Sequence, residues 1–161
     1  MTVSLPRFAR AAFFASARAE DLGGPLGAGG RDVTSESVIP ADARFSGVMD
    51  SRDAVTVAGL PLADAFFRAL DPTVEITILV GEGESVPAGT DLMRLSGNAR
   101  ALLTAERSAL NTVQHLTGIA TMTRDYVAKI AGTSATLLDT RKTIPGLRVL
   151  EKYATRQGGA T

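Results

Sequence analysis

The sequence predicts an α+β chain whose last residues open a β/α unit. Three observations carry this. Alternating apolar runs lie at residues 45–58 and 74–78, and a further short strand is read at residues 91–95, between turn residues. Residues 100–117 repeat apolar side chains at helical steps. The final forty or so residues then read strand, polar loop, helix.

Pro6 suits a first helical turn, and Phe8, Ala11, Ala12, Phe14 and Ala15 follow at helical spacing until Gly23 and Gly24. Residues 23–30 hold five glycines with no strand leading in, which favours a plain loop over a phosphate cradle. Val48, Val55 and Val57 predict a strand pair broken at residues 51–53. Pro61 opens a helix through Leu70 with Leu62, Ala65, Phe66 and Ala69 on one face. Val74, Ile76 and Ile78 alternate as a strand, Gly81 to Gly83 turn, and Val86 to Thr90 link two short strands, the second over residues 91–95.

Leu102, Leu103, Leu110, Val113 and Leu116 form the apolar stripe of the long helix, which Gly118 is expected to end or kink. Arg100, Thr104, Arg107, Asn111 and Gln114 form the opposite stripe, read as polar and solvated unless it has a use. Glu106 falls within the apolar face, so a hydrogen-bonded or cationic partner is expected for it. A second helix over residues 121–131 should turn Met122, Tyr126, Val127 and Ile130 inward. Residues 136–138 should form a short buried strand, and residues 147–156 a helix stopped by Gly158 and Gly159.

Seventeen basic residues balance seventeen acidic ones, so charge points to neither nucleic acid nor an anionic membrane. The absence of cysteine excludes disulfides and thiolate chemistry and fits a cytoplasmic setting. Arg7, Arg10 and Arg18 interrupt the N-terminal run, which argues against a signal peptide, and no membrane-spanning stretch is expected. His115 is the only histidine, so paired-histidine catalysis is excluded, and a hydrogen-bonded packing role is favoured for it. At the carboxyl end of the strand over residues 136–138 stand Thr140, Arg141, Lys142 and Thr143. A guanidinium fork, an ammonium and two hydroxyls there suit a carboxylate or phosphate, and a solvated loop is the equal alternative.

Four blocks then fall in register. They are Ala105-Glu106-Arg107-Ser108-Ala109-Leu110-Asn111, Leu116-Thr117-Gly118-Ile119-Ala120-Thr121, Leu138-Asp139-Thr140-Arg141-Lys142-Thr143-Ile144-Pro145-Gly146-Leu147-Arg148, and Glu151-Lys152-Tyr153-Ala154 with Gly158-Gly159. In order and spacing they resemble the quinolinate phosphoribosyltransferase family, as do Glu20-Asp21-Leu22-Gly23 and Asp32-Val33-Thr34-Ser35.

The resemblance implies an N-terminal α/β sandwich domain of swivelling type over residues 1–118, linking helix included. Over residues 119–161 it implies the first β/α unit of an incomplete, truncated β/α barrel. It implies a homodimer with shared active sites, in which quinolinate and phosphoribosyl pyrophosphate, with Mg2+, give nicotinate mononucleotide, pyrophosphate and carbon dioxide. Thr140, Arg141 and Lys142 would line the substrate pocket, with Arg141 and Lys142 in catalytic roles, and Arg107 would clamp a carboxylate in the neighbouring subunit. The lack of a nucleophile–base pair agrees with catalysis by electrostatic positioning. Family members continue beyond Gly158-Gly159 with Asn-His-Arg and further lysine and acidic positions. The 161 residues alone are therefore expected to be inactive, with the Mg2+ ligands lying beyond them.

A molybdenum-associated paralogue with another substrate, or a non-catalytic binding domain on the same scaffold, are the alternatives. The turn within residues 83–97 also resembles half of a lipoyl or biotinyl carrier domain. A carrier needs a lysine at that hairpin, and none precedes Lys129.

Overall fold

The computed structural model describes residues 10–24 and 30–161. Its elements run α1 (Arg10–Leu22), α2 (Val33–Val38), β1 (Arg44–Asp50), β2 (Val55–Thr56), α3 (Leu60–Leu70), β3 (Glu75–Ile78), β4 (Ser85–Val86), β5 (Asp91–Asn98), α4 (Ala99–Lys129) and α5 (Arg148–Gln157). This is a mixed α/β architecture with an open sheet, ordered β1-β5-β3 and antiparallel throughout, beside a two-stranded ladder of β2 and β4. Pro6, Phe8 and most of the glycine-rich stretch lie outside the described residues. Gly23, at φ 70°, sits just past α1, as a helix stop requires.

Alternation sorts the sheet's two faces. Phe45, Gly47 and Met49 stand opposite Gly97, Leu95 and Met93, whereas Ser46 and Val48 stand opposite Ser96 and Arg94 on the other face. The expected strand pair within residues 45–58 is corrected: β1 pairs with β5 and β2 with β4. At the break between them, Ser51 donates its N–H to Thr90 O (3.0 Å) and accepts that of Gly89 (2.7 Å). These bonds commit the break to the residue 87–90 turn, so the chain cannot double back along β1.

Helix α3 starts at Gly59, whose φ of 105° suits a residue without Cβ and which has no capping side chain of its own. Glu82 caps the helix from a distant loop, accepting the N–H groups of Gly59 (2.7 Å) and Leu60 (2.9 Å). Leu60, Leu62, Ala63, Phe66 and Phe67 are buried, while Ala69 is exposed, contrary to its expected place on the inner face. Phe14 of α1 meets Phe66 edge-on at 4.5 Å between ring centroids.

One helix of 31 residues replaces the two expected, and Gly118 does not end it. A mid-helix glycine costs about 1 kcal/mol relative to alanine. Two threonines flanking it offset that cost by docking α4 onto the β2 segment. Thr117 Oγ1 accepts the Ala58 N–H and donates to Ala58 O (both 3.1 Å), and Thr121 Oγ1 accepts the Thr56 N–H (2.9 Å). The expected apolar stripe is largely kept, with Leu102, Val113 and Leu116 buried and Leu110 packed against the core, but the buried face is filled out by alanines and Leu103 falls outside it. Ala105, Ala109 and Ala120 are fully buried, whereas Leu103, Met122 and Tyr126 are exposed. Small side chains between the larger buried ones let α3 and α4 approach closely.

Residues 136–138 do not form the expected buried strand, and Leu138 is 66% exposed. The geometry nevertheless begins a ladder: Thr161 donates its N–H to Leu137 O (3.0 Å), and Asp139 donates its N–H to Thr161 O (3.2 Å). Donation to one residue and acceptance from the residue two further on is the parallel-strand pattern. Helix α5, lying between these segments, packs on α4. A Cβ at Gly158 would stand 2.4 Å from Thr123 Cβ and 2.6 Å from Ala120 O, so this approach requires glycine.

Candidate active site

Three residues of the polar stripe of α4, Arg100, Thr104 and Arg107, are engaged, while Asn111 and Gln114 are exposed. Arg100 donates to Ile39 O (2.7 Å) and Glu36 O (3.1 Å), satisfying carbonyls at the end of α2. Thr104 donates to Asp32 Oδ2 (2.8 Å), and Asp32 caps α2 by accepting the Ser35 N–H (2.9 Å). Burial pushes the Asp32 carboxyl up, but the bonds from Ser35 and Thr104 and the charge of Arg107 outweigh it and hold it below the usual range. Arg107 pairs with Asp21 at 3.1 Å while its side chain stays 74% exposed. Gln114 departs from the stripe, lining instead a cleft on the sheet side of α4.

Arg107 borders a cavity of about 500 Å3 between α1, α4 and the start of α5, together with Asp21, Asn111, His115, Leu147 and Leu150. His115 Nε2 lies 2.9 Å from Glu151 Oε1, so it is hydrogen-bonded as expected.

Arg141 and Lys142 lie exposed on the loop before α5, and neither makes an ion pair among the described residues. Thr140 Oγ1 accepts the Lys142 N–H (3.1 Å), and Arg141 O accepts the Thr143 N–H (3.0 Å). Just outside this segment, Lys152 Nζ donates to Asp139 Oδ1 (2.7 Å), and Glu151 Oε2 accepts the Ile144 N–H (3.1 Å). Neither Arg141 nor Lys142 borders the cavity at Arg107, so a single chain does not bring the three cations into one pocket.

Glu106 corrects another expectation: it is exposed at the rim of the sheet-side cleft and has no partner among the described residues. That cleft, of about 710 Å3, lies between the sheet and α4. Because α4 turns its alanines inward, position 106 faces water rather than core. Sequence reasoning missed Tyr153, which is buried and donates to Glu82 Oε2 (2.6 Å); burial first, then the Glu82 bond and charge, push its phenol well above the usual range. It assigned no role to Glu151 and Lys152 either, although both stand in the fourth family-like block.

An open antiparallel sheet joined by a long helix to a nascent parallel β/α unit, with free cations at that unit's loop, defines a class of protein that family comparison makes specific. The chain belongs to the quinolinate phosphoribosyl transferase family: residues 32–117 match the family's N-terminal domain and residues 119–161 its C-terminal domain. It is 57% identical over 104 residues, 65% of this chain and 35% of the relative, to a probable nicotinate-nucleotide pyrophosphorylase (carboxylating) of Synechocystis. To the nicotinate-nucleotide pyrophosphorylase (carboxylating) of Mycobacterium leprae it is 40% identical over 135 residues, 81% of this chain and 46% of the relative. The crystal structure of NadC from Streptococcus pyogenes superimposes with a TM-score of 0.89 at 31% identity, covering 99% of this chain and 54% of that one. The chain thus spans 35% and 46% of the length of these two curated relatives.

Proposed function

We propose that these residues belong to a quinolinate phosphoribosyltransferase, which joins quinolinate to phosphoribosyl pyrophosphate and releases pyrophosphate and carbon dioxide to give nicotinate mononucleotide. The observation that carries the reading is the pair Arg141 and Lys142, without carboxylate partners among the described residues, in a loop that follows a parallel-paired segment. Quinolinate carries two adjacent carboxylates and its co-substrate several phosphate oxygens, so both call for unneutralised cations. In this reading Arg141 forks onto a carboxylate, Lys142 supplies a point charge to a carboxylate or phosphate, and Thr140 contributes a hydroxyl. The pyridine nitrogen bonds to C1 of the ribose as pyrophosphate leaves. The carboxylate next to that nitrogen departs as carbon dioxide, and its ring carbon takes up a proton. Fixed cations assist by orientation and charge stabilisation, with no covalent enzyme intermediate.

Arg107 belongs to the same reading as the group that crosses a two-fold interface to a neighbouring subunit's substrate. Its 74% exposure, and the fact that neither Arg141 nor Lys142 lines the cavity it borders, favour that role. We divide the chain into an α/β sandwich over residues 1–118 and the first unit of an incomplete β/α barrel over residues 119–161, and we place the protein in the cytoplasm. No described helix is long and apolar enough to cross a membrane. Phosphoribosyl pyrophosphate enters with Mg2+. The described residues bring no three His, Cys, Asp or Glu side chains together, so they do not fit a resident metal. The test is to assay a polypeptide carrying these residues at the relatives' full length, with phosphoribosyl pyrophosphate, Mg2+ and either quinolinate or nicotinate. Nicotinate mononucleotide formed from quinolinate supports the reading; turnover of nicotinate alone, or of neither, overturns it.

A further inference from the structure

We infer that Glu151 and Lys152 are positioning residues that grip the cationic loop at its two ends and thereby fix where Arg141 and Lys142 stand. The inference rests on the proposed function of that loop. Residues 140–143 belong to neither helix nor strand, and their own hydrogen bonds are local, from Lys142 N to Thr140 and from Thr143 N to Arg141. Their anchorage lies on either side. Lys152 holds Asp139 at 2.7 Å before the cations, and Glu151 holds the Ile144 N–H at 3.1 Å after them. Neighbouring helical residues project about 100° apart, so one turn of α5 can reach both limbs of the loop.

The chemistry of Glu151 points the same way. It is 8% exposed, and a carboxylate at that depth is costly unless both oxygens have partners. One oxygen meets His115 on α4 and the other meets the loop. An aliphatic side chain would pack there without needing either partner. Through His115 the grip extends to the helix that carries Arg107, so one carboxylate ties the loop to the helix behind the other proposed substrate contact.

The experiment measures steady-state kinetics and amide hydrogen exchange of the full-length protein for Glu151→Ala, Glu151→Gln, Lys152→Met and Arg141→Ala. Glu151→Ala and Lys152→Met should raise KM for quinolinate by about tenfold or more with a smaller change in kcat, and speed exchange at residues 140–144 while α4 stays protected. Glu151→Gln keeps an oxygen for the Ile144 N–H and should return KM to near the wild-type value. Lys152, with its side chain 29% exposed, decides the matter if Glu151→Ala does not fold. Unchanged KM in Lys152→Met, or no rescue by Glu151→Gln, overturns the grip. Arg141→Ala separates the two levels: if it is impaired while the grip variants are normal, the grip alone falls, and if it is itself normal, the site reading falls and the grip with it.

Discussion

Tyr153 and Glu82, 71 residues apart, share a hydrogen bond of 2.6 Å that fastens α5 to the loop capping α3. Glu82 thus serves three donors at once: two backbone N–H groups at the start of α3 and one phenol from the β/α unit. The later part of the second family segment is thereby joined to the first.

Tyr153→Phe should therefore destabilise the fold, by about 1–2 kcal/mol, since it removes one bond to a charged acceptor and leaves the helix cap in place. Thermal unfolding should show a Tm lower by a few degrees. An unchanged Tm would mean that the bond contributes nothing.

Asp71 makes stability depend on acid. The Asn98 N–H, then Thr73, hold its carboxyl below the usual range. A folded-state pKa below the unfolded value near 4 gives stability that is present above about pH 4 and lost as pH falls through the folded pKa. Asp71→Asn should lower Tm at neutral pH, and the gap from wild type should narrow below about pH 4. A gap constant from pH 7 to pH 3 would contradict the assignment.

Gly158→Ala places a Cβ against Thr123 Cβ and Ala120 O at 2.4 and 2.6 Å, contacts that backbone on one side cannot relieve. Overpacking of this kind costs about 1–3 kcal/mol, read as a lower midpoint in urea. Gly118→Ala is the informative partner. Nothing lies within 4 Å of its Cβ and its backbone is helical, so it should stabilise by up to about 1 kcal/mol.

How much of this was legible in the sequence depended on whether the deciding interaction was local. Pro61, Gly23 and the alternation of Val74, Ile76 and Ile78 act through their own backbone or nearest pleat, and α3, the end of α1 and β3 follow from them. Gly118 misled because the threonines that carry α4 through it bond to a segment sixty residues away. Leu103 and Met122 misled because periodicity counts apolar residues equally, while the inner face is completed by Ala105, Ala109 and Ala120 alongside Leu102, Val113 and Leu116. Leu138 reads as buried in sequence and is exposed here, where only Thr161 pairs alongside it. Arg141 and Lys142 were legible as a candidate anion site, but the residues gripping their loop were not, since Glu151 and Lys152 look like ordinary helix charges.

Arg107→Ala should separate stability from function. Its side chain is 74% exposed, though its partner Asp21 is only 19% exposed, so the pair is worth about 1 kcal/mol and Tm should fall by no more than a few degrees. Loss of a charge-assisted substrate contact should lower kcat/KM for quinolinate by roughly ten- to a hundredfold, about 1.5–3 kcal/mol. A variant with normal kinetics would remove Arg107 from the site.

Subunit mixing tests most directly whether cations from two chains converge on one substrate. Full-length Arg107→Ala and Arg141→Ala proteins, each nearly inactive, would be unfolded together, refolded and assayed with quinolinate. If Arg107 reaches the partner's site, each mixed dimer carries one intact site, and activity should recover to about a quarter of wild type, as random pairing in a two-fold dimer requires. No recovery, with mixed dimers demonstrably formed, would contradict the shared site.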